Sequence, residues 1–353
     1  MPGTDEDARI PAGHRRATMA DVGRLAGVSA TTVSFVLNEK SGQTISEQTR
    51  QRVLDAVAAL DYRPNRMARG LRTKRTATLG FVTDEIGAEP FAGATIAGAH
   101  EVAWAQGSLL IVVSATRDRR ILTDVVDDLI DRRVDALIFA VVGTRRIAVP
   151  QALKGVPALL LNGYVQGGLL PSVLPDEVAG GRAAAQLVLD AGHTRLAYLT
   201  GQASLWPTRA RLRGFRDAVV RAGLDPHDQV VLRGNYRADS GYELTRQLLA
   251  AGPPPTAVLC GNDRMALGAY LALKEAGLRI PEDVSVVGYD DQVDLAADVH
   301  PALSTVRMPY YQMGRWAAQQ AVAGTIPTLP TRTYLPCPPV PRASVGPPPP
   351  ATA

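Results

Sequence analysis

The sequence feature that most constrains the fold is a regular alternation of short apolar runs with longer amphipathic stretches, which begins at Thr78. The runs TLGFV, LLIVVS, ALIFAVV and ALLLN have the length of strands, and the stretches between them carry apolar residues at helical spacing. Strands that are apolar throughout are typical of a parallel sheet covered by helices on both faces. The pattern starts again at LAYLTG and runs to VSVVGYDD, so the sequence predicts an α/β fold with two consecutive doubly wound subdomains.

A different pattern precedes this alternation and predicts three short helices. Thr18 and Asp21 have the spacing of a capping box, and Gly27 is suited to end the first helix. Ser29 is a candidate cap for a second helix, ATTVSFVLN, and a third begins near Ser46. Two short helices joined by a Gly-Val-Ser turn favour a helix-turn-helix, which places its second helix in the major groove of DNA.

The charge of the chain is concentrated in this first part. The whole sequence has a net charge of only +4. Between Arg9 and Arg75, thirteen basic residues stand against five acidic ones, a local charge of +8, so the remainder carries −4. A basic segment attached to a slightly acidic body is typical of a nucleic-acid-binding segment joined to a soluble domain, although charge alone is also consistent with a solvated basic face.

The residues of both parts resemble a known family. ATMADVGRLAGVSATTVSFVLN and ISEQTRQRVLDAVAALDYRPNRMARGLRT resemble the DNA-binding headpiece and hinge of the lactose-repressor (LacI/GalR) family of bacterial transcriptional regulators. GHTRLAYLTG, RLRGF, PTAVLCGNDRMALGA, GLRIPEDVSVVGYDD, PALSTVRMP and PRASV resemble that family's effector-binding core, which is of periplasmic-binding-protein type. The resemblance covers Thr18 to Val345. It implies a homodimeric repressor that binds double-stranded DNA at a palindromic operator and responds allosterically to a small-molecule effector.

The domain boundaries follow from the resemblance together with the composition. We expect a disordered tail at 1–17, a helix-turn-helix headpiece at 18–62, a hinge at 63–76, a core at 77–345 and a disordered tail at 346–353. Within the core, the first subdomain is expected at 77–194 plus 307–327, and the second at 195–306 plus 328–345.

The resemblance also implies which residues contact DNA. The positions that face bases are Ala30, Thr31 and Phe35, and those that touch phosphates are Ser29, Thr32, Ser34 and Asn38. Because Ala30 and Phe35 lack hydrogen-bonding groups, direct readout would rest on thymine methyl contacts and the Thr31 hydroxyl, with DNA shape adding to discrimination. Phe35 has the alternative of packing in the headpiece, and Thr32 and Ser34 that of serving only as helix residues.

The hinge carries a second set of implied contacts. Leu71 matches the leucine that this family inserts into the minor groove at the operator centre, where an apolar wedge unstacks a base step and kinks the duplex. Arg69 and Arg72 flank it, and the remaining implied contacts are Tyr62, Asn65 and Ala68. Two hinges must meet at the operator centre, which is why a dimer is implied, with half-sites about one helical turn apart.

Candidate effector contacts lie after predicted strands, where doubly wound sheets bind ligands. They are Phe91, Asp176, Trp206, Arg211, Tyr236, Asn262, Asp263 and Asp290. Arg, Asn and carboxylate groups form paired hydrogen bonds with vicinal hydroxyls, and aromatic rings cover a sugar face. We therefore expect a sugar, with a nucleobase or nucleoside as the alternative. Asp176, Asn262, Asp263 and Asp290 have the alternative of capping a helix or forming a surface ion pair. Phe91 and Trp206 have that of packing without a ligand.

Other function classes find little in the sequence. It has no P-loop, no nucleophile elbow and no HExxH motif, and its five histidines are scattered, so we expect neither an enzyme nor a cofactor. Cys260 and Cys337 have no partner at metal-ligand spacing. A solute-binding receptor with the same core would need an export signal, and the N-terminus has none. We expect a cytoplasmic protein with no membrane span.

Overall fold

The computed structural model of the chain describes residues 17–37, 45–62, 75–84, 91–115, 118–147, 155–165, 170–329 and 331–350. The chain forms two compact units, Met1–Lys74 and Arg75–Ala353. The first unit spans the predicted headpiece (18–62) and the predicted hinge up to Lys74, and the second contains both α/β subdomains. Each unit is described separately below.

The headpiece contains helices α1 (Met19–Ala26), α2 (Ala30–Leu37) and α3 (Glu47–Ala59) among its described residues. The predicted capping box is confirmed, because the side chains of Thr18 and Asp21 each accept a hydrogen bond from the other's backbone N–H. Gly27 ends α1 with φ +66°, a left-handed conformation that favours glycine. The Ser46 side chain caps α3 by accepting from the Thr49 N–H.

A small apolar core holds the three helices together. It consists of the buried residues Val22, Ala26, Val33, Val36, Val53, Ala56 and Tyr62. Each helix contributes from one face only, which matches the helical spacing of the sequence.

The described elements of the first core subdomain are β1 (Thr78–Thr83), α4 (Phe91–Ala105), β2 (Leu109–Ser114), α5 (Arg119–Asp131), β3 (Ala136–Arg146), β4 (Ala158–Tyr164), β5 (Ser172–Pro175), α10 (Tyr310–Ala323) and β11 (Arg332–Leu335). The strands form a parallel sheet in the order β11-β5-β4-β3-β1-β2. Separate apolar clusters lie on its two faces, one with Ala99 and Met313 and the other with Val126 and Leu129. The sheet is therefore covered on both sides, as the apolar runs predict.

The second core subdomain contains a parallel sheet in the order β7-β6-β8-β9 and a small antiparallel pair β10-β12. Its described elements are α6 (Glu177–Asp190), β6 (Leu196–Thr200), α7 (Trp206–Arg221), β7 (Val230–Arg233), α8 (Ala238–Ala250), β8 (Ala257–Cys260), α9 (Asp263–Glu275), β9 (Ser285–Val287), β10 (Thr305–Val306) and β12 (Pro339–Val340). Helices α6 and α7 cover one face and α8 and α9 the other. The predicted α/β fold class is confirmed.

The structure differs from the expected subdomain boundaries in two places. The first boundary was expected after residue 194, but Ala184, Ala185 and Val188 of α6 pack with Tyr198 and Phe215 of the second subdomain. The chain therefore crosses between subdomains directly before α6. A helix packs wherever its apolar face is buried, and α6 follows a strand of one sheet while covering the other, which the order of elements in the sequence does not reveal.

The second difference concerns residues 328–345, which were expected in the second subdomain. Strand β11 pairs in parallel with β5 of the first sheet, with Thr333 opposite Val173. Only after β11 does the chain return, since β12 pairs with β10. Three crossover segments thus connect the subdomains: one between β5 and α6, one between β10 and α10, and one between β11 and β12.

The C-terminal segment is ordered further than expected. The predicted disordered tail at 346–353 begins with Gly346, whose N–H donates to Ser285 Oγ at 3.1 Å and whose carbonyl lies 2.8 Å from His193 Nε2. His193 also contacts Thr256 Oγ1 through Nδ1 at 3.0 Å. These bonds fix the start of the proline-rich segment to the second subdomain. The proline-rich composition predicts disorder, because composition alone gives no information about individual hydrogen bonds such as these.

Three helix pairs of the core approach each other at reciprocal glycines. A Cβ atom on Gly98 of α4 would overlap the Tyr311 carbonyl of α10, and one on Gly314 of α10 would overlap the Thr95 carbonyl of α4. The same reciprocity joins Gly181 with Gly214 between α6 and α7, and Gly241 with Gly268 between α8 and α9. The missing side chains let the helix backbones touch, so their axes lie closer than ordinary side chains permit.

These contacts predict opposite effects for two glycine substitutions in the same helix. Gly98→Ala should destabilise the core by about 1–3 kcal/mol, because the new methyl group displaces the α10 backbone. Gly93→Ala in α4 meets no atom within 4 Å and should instead stabilise the helix by up to about 1 kcal/mol. Urea unfolding of the two variants beside the wild type measures both values. Equal effects of the two substitutions would show that the α4–α10 contact tolerates a side chain.

Candidate functional site

The first turn of α2 presents three small residues to solvent. Ser29, Ala30 and Thr31 are exposed. The Ser29 hydroxyl accepts from the Thr32 N–H at 3.1 Å and lies 2.9 Å from Thr32 Oγ1, which fixes the start of the helix. Val33 and Val36 are buried in the headpiece core and set the rotation of α2. The turn therefore projects outward from a helix whose opposite side is anchored.

The other predicted DNA contacts of the headpiece are placed less openly. Thr32, Ser34 and Phe35 are partly exposed, so the two alternatives for Phe35 both stay open. Tyr62 was expected to contact the DNA backbone, but it belongs to the headpiece core and is only 7% exposed. The Asp-Tyr-Arg-Pro context indicated a helix end, and the ring of Tyr62 closes the apolar cluster there. The predicted contacts Asn38, Asn65, Ala68, Arg69, Leu71 and Arg72 lie outside the described residues.

In the core, a small groove, partly open to solvent, lies toward the carboxyl ends of β1, β3 and β4. Thr83, Asn162, Phe91 and Tyr310 are among its lining residues. The rings of Phe91 and Tyr310 are stacked, with centroids 4.9 Å apart. Phe91, a predicted effector contact, therefore lines a groove of the first subdomain. Tyr310, from the start of α10, was not predicted.

Arg211 is the centre of the polar groups on the second subdomain. It is 5% exposed, and its Nε and Nη2 donate to the two carboxylate oxygens of Glu177 at 2.7 and 3.1 Å. Its Nη1 donates to the Gly261 carbonyl at 2.7 Å. The guanidinium carbon lies 3.6 Å from the centre of the Tyr289 ring. This predicted effector residue is thus held rigidly from three sides.

Asp290 faces the remaining side of Arg211. Its Oδ1 lies 3.7 Å from Arg211 Nη2, beyond hydrogen-bond distance. Its backbone has φ +114°, and its N–H donates to the Val306 carbonyl at 2.8 Å. Burial raises the pKa of the Asp290 carboxyl well above its ordinary value, although Arg211 opposes the shift.

The loop after Asp290 is fixed by its neighbour. Asp291, with φ +53°, accepts from Arg307 Nε at 2.7 Å and from Arg342 Nη2 at 2.6 Å. Positive φ values cost free energy in residues other than glycine, so surrounding bonds must hold such a loop in place. Arg307 starts one crossover and Arg342 follows another, so this loop is tied to the connections between the subdomains.

Asn262 and Asp263 are used for structure. The Asn262 Oδ1 accepts from the Met265 N–H at 2.9 Å and caps α9, while its Nδ2 donates to the Tyr236 carbonyl at 3.0 Å. Asp263 is fully buried and accepts from Thr305 Oγ1 at 2.6 Å and from the Gln292 N–H at 2.7 Å. The capping alternative is the one observed for Asn262, and internal hydrogen bonding holds Asp263.

Three further candidates have identifiable local roles. Tyr236, at φ +69°, pairs its hydroxyl with Thr208 at 2.6 Å and lies 5.9 Å from the Arg211 guanidinium carbon. Asp176 caps α6 by accepting from the Ala179 N–H at 2.9 Å. Trp206 is the first residue of α7 and is half-buried. The structure thus brings Arg211, Tyr236, Asn262, Asp263 and Asp290 together.

Comparison with known proteins identifies the chain. Residues 18–65 match the model of bacterial regulatory proteins of the lacI family, and residues 185–345 match the periplasmic binding protein-like domain. The ribose operon repressor of Escherichia coli (strain K12) is 34% identical over 316 residues, 89% of this chain and 94% of that protein. The chain belongs to the lacI family of bacterial regulatory proteins.

Two further similarities support the lacI-family assignment. The HTH-type transcriptional repressor PurR of Vibrio cholerae (serotype O1, strain M66-2) is 33% identical over 301 residues, 85% of this chain and 88% of that protein. The crystal structure of the lac repressor dimer bound to operator and the anti-inducer ONPF has a TM-score of 0.73 at 32% identity, covering 94% of this chain and 100% of that chain. The predicted family is confirmed, and the protein is a DNA-binding transcriptional regulator rather than an enzyme.

Sequence reasoning missed three residues of this lacI-family core: Glu177, Tyr289 and Tyr310. Glu177 stands beside Asp176 at a helix start, where acidic residues are common because they complement the helix dipole. Only tertiary structure shows that Asp176 caps the helix while Glu177 binds Arg211. Tyr289 directly precedes Asp290 in the sequence. An aromatic residue beside a candidate acid at a strand end was the available signal for its position near the site.

Two negative findings hold within the described ranges. No helix there is long and apolar enough to cross a lipid bilayer. No three His, Cys, Asp or Glu side chains of those ranges are grouped as a metal site requires.

The buried Asp263 predicts a pH dependence of stability. Burial raises the pKa of its carboxyl to about 6 from 3.8. Between these values the folded protein binds more protons than the unfolded chain, so stability falls as pH rises, and the loss is complete above about pH 6. Asp263→Asn should reduce this decline by roughly 2–3 kcal/mol.

Urea unfolding from pH 4.5 to 7.5 measures the difference in slope between wild type and variant. Asp283→Asn is the matched control, because Arg279 holds the pKa of the exposed Asp283 carboxyl at about 2, so it is ionised throughout this range. An unchanged slope in Asp263→Asn would show that Asp263 ionises normally in the folded state.

Proposed function

We propose that the protein is a homodimeric, effector-controlled repressor that binds a palindromic operator through its headpiece and a sugar through its core. The exposed first turn of α2, anchored by the buried Val33 and Val36, is the observation that carries the DNA-binding part. A recognition helix contacts base edges with its N-terminal residues, and Ala30 and Thr31 stand there. As a regulator of chromosomal transcription, it would act in the cytoplasm.

The polar groups around Arg211 support a hydroxylated effector. The distance of 3.7 Å between Arg211 Nη2 and Asp290 Oδ1 is too long for a direct bond. A hydroxyl can accept from the guanidinium and donate to the carboxylate at the same time. The aromatic pair Phe91 and Tyr310, on the first subdomain, offers an apolar surface to a sugar ring. The likeness to the ribose operon repressor supports a sugar.

Control of DNA binding would use the crossovers between the subdomains. Glu177 follows one crossover, and Met308, whose sulfur lies 3.9 Å from Arg211 Nη2, belongs to another. An effector that contacts both subdomains would favour one relative arrangement of the two. It can change DNA affinity only by its difference in affinity for the two arrangements, typically about 1–3 kcal/mol.

The operator contacts give the first functional prediction. From a pool of random duplexes, the wild type should select a palindrome whose affinity falls steeply between about 50 and 200 mM salt, because bound phosphates release counterions. Leu71→Ala should weaken binding to that palindrome at least tenfold, since the minor-groove wedge is removed. Gel-shift titration measures both effects.

Leu329→Ala is the matched control for Leu71→Ala. Leu329 belongs to the second unit of the chain, more than 250 residues after Leu71, and its side chain is 71% exposed. It should bind the palindrome like the wild type. Failure of the wild type to select any palindrome at low salt would refute the proposed function, whereas normal affinity of Leu71→Ala would refute the wedge alone.

The effector site gives the second functional prediction. In a thermal-shift panel of sugars and nucleosides, the effector should raise the wild-type Tm by several degrees at a concentration far above its Kd. Asp290→Asn should abolish that shift, because the uncharged amide replaces one of the two acceptor oxygens by an NH2 donor, which cannot accept from a ligand hydroxyl. Asn tolerates positive φ, so the substitution preserves the backbone.

Asp294→Asn serves as the control, since Asp294 is exposed in the same loop and also has positive φ, at +61°. Its effector response should match the wild type. Equal shifts in all three proteins would remove Asp290 from the effector site.

A further inference from the structure

Glu177 neutralises Arg211 from inside the protein. Its carboxylate is 1% exposed and binds the Nε and Nη2 edge of the guanidinium in bidentate geometry. Bidentate pairing is the mode in which arginine recognises the carboxylates and phosphates of ligands. In this protein a glutamate of the chain itself already occupies that position.

The free edge of Arg211 is unfavourable for a second anion. Nη2 donates to Glu177 at 3.1 Å, lies 3.9 Å from the Met308 sulfur and has Asp290 Oδ1 at 3.7 Å. Nη1 is already engaged by the Gly261 carbonyl. A negatively charged group placed beside Nη2 would lie close to two acidic side chains, and Glu177 carries a negative charge in its pair with Arg211, which repels a second anion. A neutral hydroxyl meets no such repulsion.

The charged residues around Asp290 do not make a positive site. The basic groups that act on its carboxyl are Arg211 and Arg264, and the acidic ones are Glu177 and Asp263, so the cations do not outnumber the acids. Arg211 is in addition paired directly with Glu177.

We propose that Glu177 determines effector specificity by acting as an internal counter-ion of Arg211. The effector site formed by Arg211 and Asp290 then accepts an uncharged, unphosphorylated hydroxylated compound and excludes anions. This inference rests on the proposed function, because it concerns the effector site named there. A free sugar or nucleoside would therefore bind, whereas a sugar phosphate, a sugar acid or a nucleotide would not.

The position of Glu177 in the fold explains how it reaches Arg211. It is the first residue of α6, directly after a crossover, and Gly181 and Gly214 bring α6 and α7 into backbone contact. Asp176 caps the helix, which leaves the Glu177 side chain available to turn inward. At this distance between the helices, the carboxylate of one reaches the guanidinium of the other without solvent between them.

The first arm of the test replaces the internal anion by an external one. Glu177→Ala should lower the Tm, because it leaves a buried unpaired guanidinium. Sodium formate at 50 mM should restore at least half of the loss, whereas sodium chloride at equal ionic strength should not. Glu275→Ala, which removes an exposed glutamate that bonds to Tyr242, is the matched control and should show no formate-specific recovery.

Glu177→Gln keeps the size of the side chain and one acceptor for Arg211. This variant tests the counter-ion role if Glu177→Ala does not fold. It should be stabilised by inorganic phosphate relative to chloride, with an affinity at least tenfold above that of the wild type. Absence of both formate rescue and phosphate gain would overturn the counter-ion role of Glu177. This arm needs no knowledge of the effector.

The second arm compares ligand classes on the wild type. Paired probes such as D-ribose with D-ribose 5-phosphate, D-galactose with galactose 1-phosphate, and adenosine with AMP are tested by thermal shift. Every compound that raises the Tm should be uncharged. Stabilisation by a phosphorylated member above its parent would overturn the inference. If no member of either class acts while formate rescue succeeds, the proposed effector class fails and the role of Glu177 stands.

Discussion

Arg211 is a buried cation, and much of the second subdomain is arranged to keep it there. Removing a charged group from water costs several kcal/mol unless a close counter-charge and hydrogen bonds replace the lost hydration. Glu177 supplies the counter-charge, Gly261 supplies a carbonyl, and the Tyr289 ring covers one face. These partners come from three separate stretches of chain, so the pair holds α6, α7 and the strand ends of the second sheet in one arrangement.

The pair of Arg211 and Glu177 also sets how the polar groups of the candidate effector site are oriented. Because the guanidinium is held on three sides, its orientation toward Asp290 is set before any ligand arrives, and little side-chain entropy remains to be lost on binding. The left-handed backbone at Asp290 and Asp291 is maintained by Arg307 and Arg342. The loop that carries Asp290 and Asp291 is therefore fixed by residues of the crossover segments rather than by local sequence.

The elements that depend on local interactions were predictable from the sequence. The capping box at Thr18, the turn at Gly27, the helix start near Ser46 and the apolar strands all follow from neighbouring residues, and each is present as predicted. The assignment of α6 and β11 to subdomains was wrong because it depends on which sheet a segment joins, a long-range choice. For the same reason the sequence indicated Arg211 and Asp290 as candidate effector contacts but did not show that Glu177 binds Arg211. Asn262 also illustrates this limit, because a capping amide and a ligand-binding amide have the same sequence signature.

The reciprocal glycines have a consequence for motion. Each glycine pair joins two helices of one subdomain backbone to backbone, so sliding one helix along the other would bring a side chain into space that only a glycine leaves open. We therefore expect each subdomain to move as one body. A rotation of one subdomain against the other would then take place at the three crossover segments, where Glu177, Met308 and Cys337 lie.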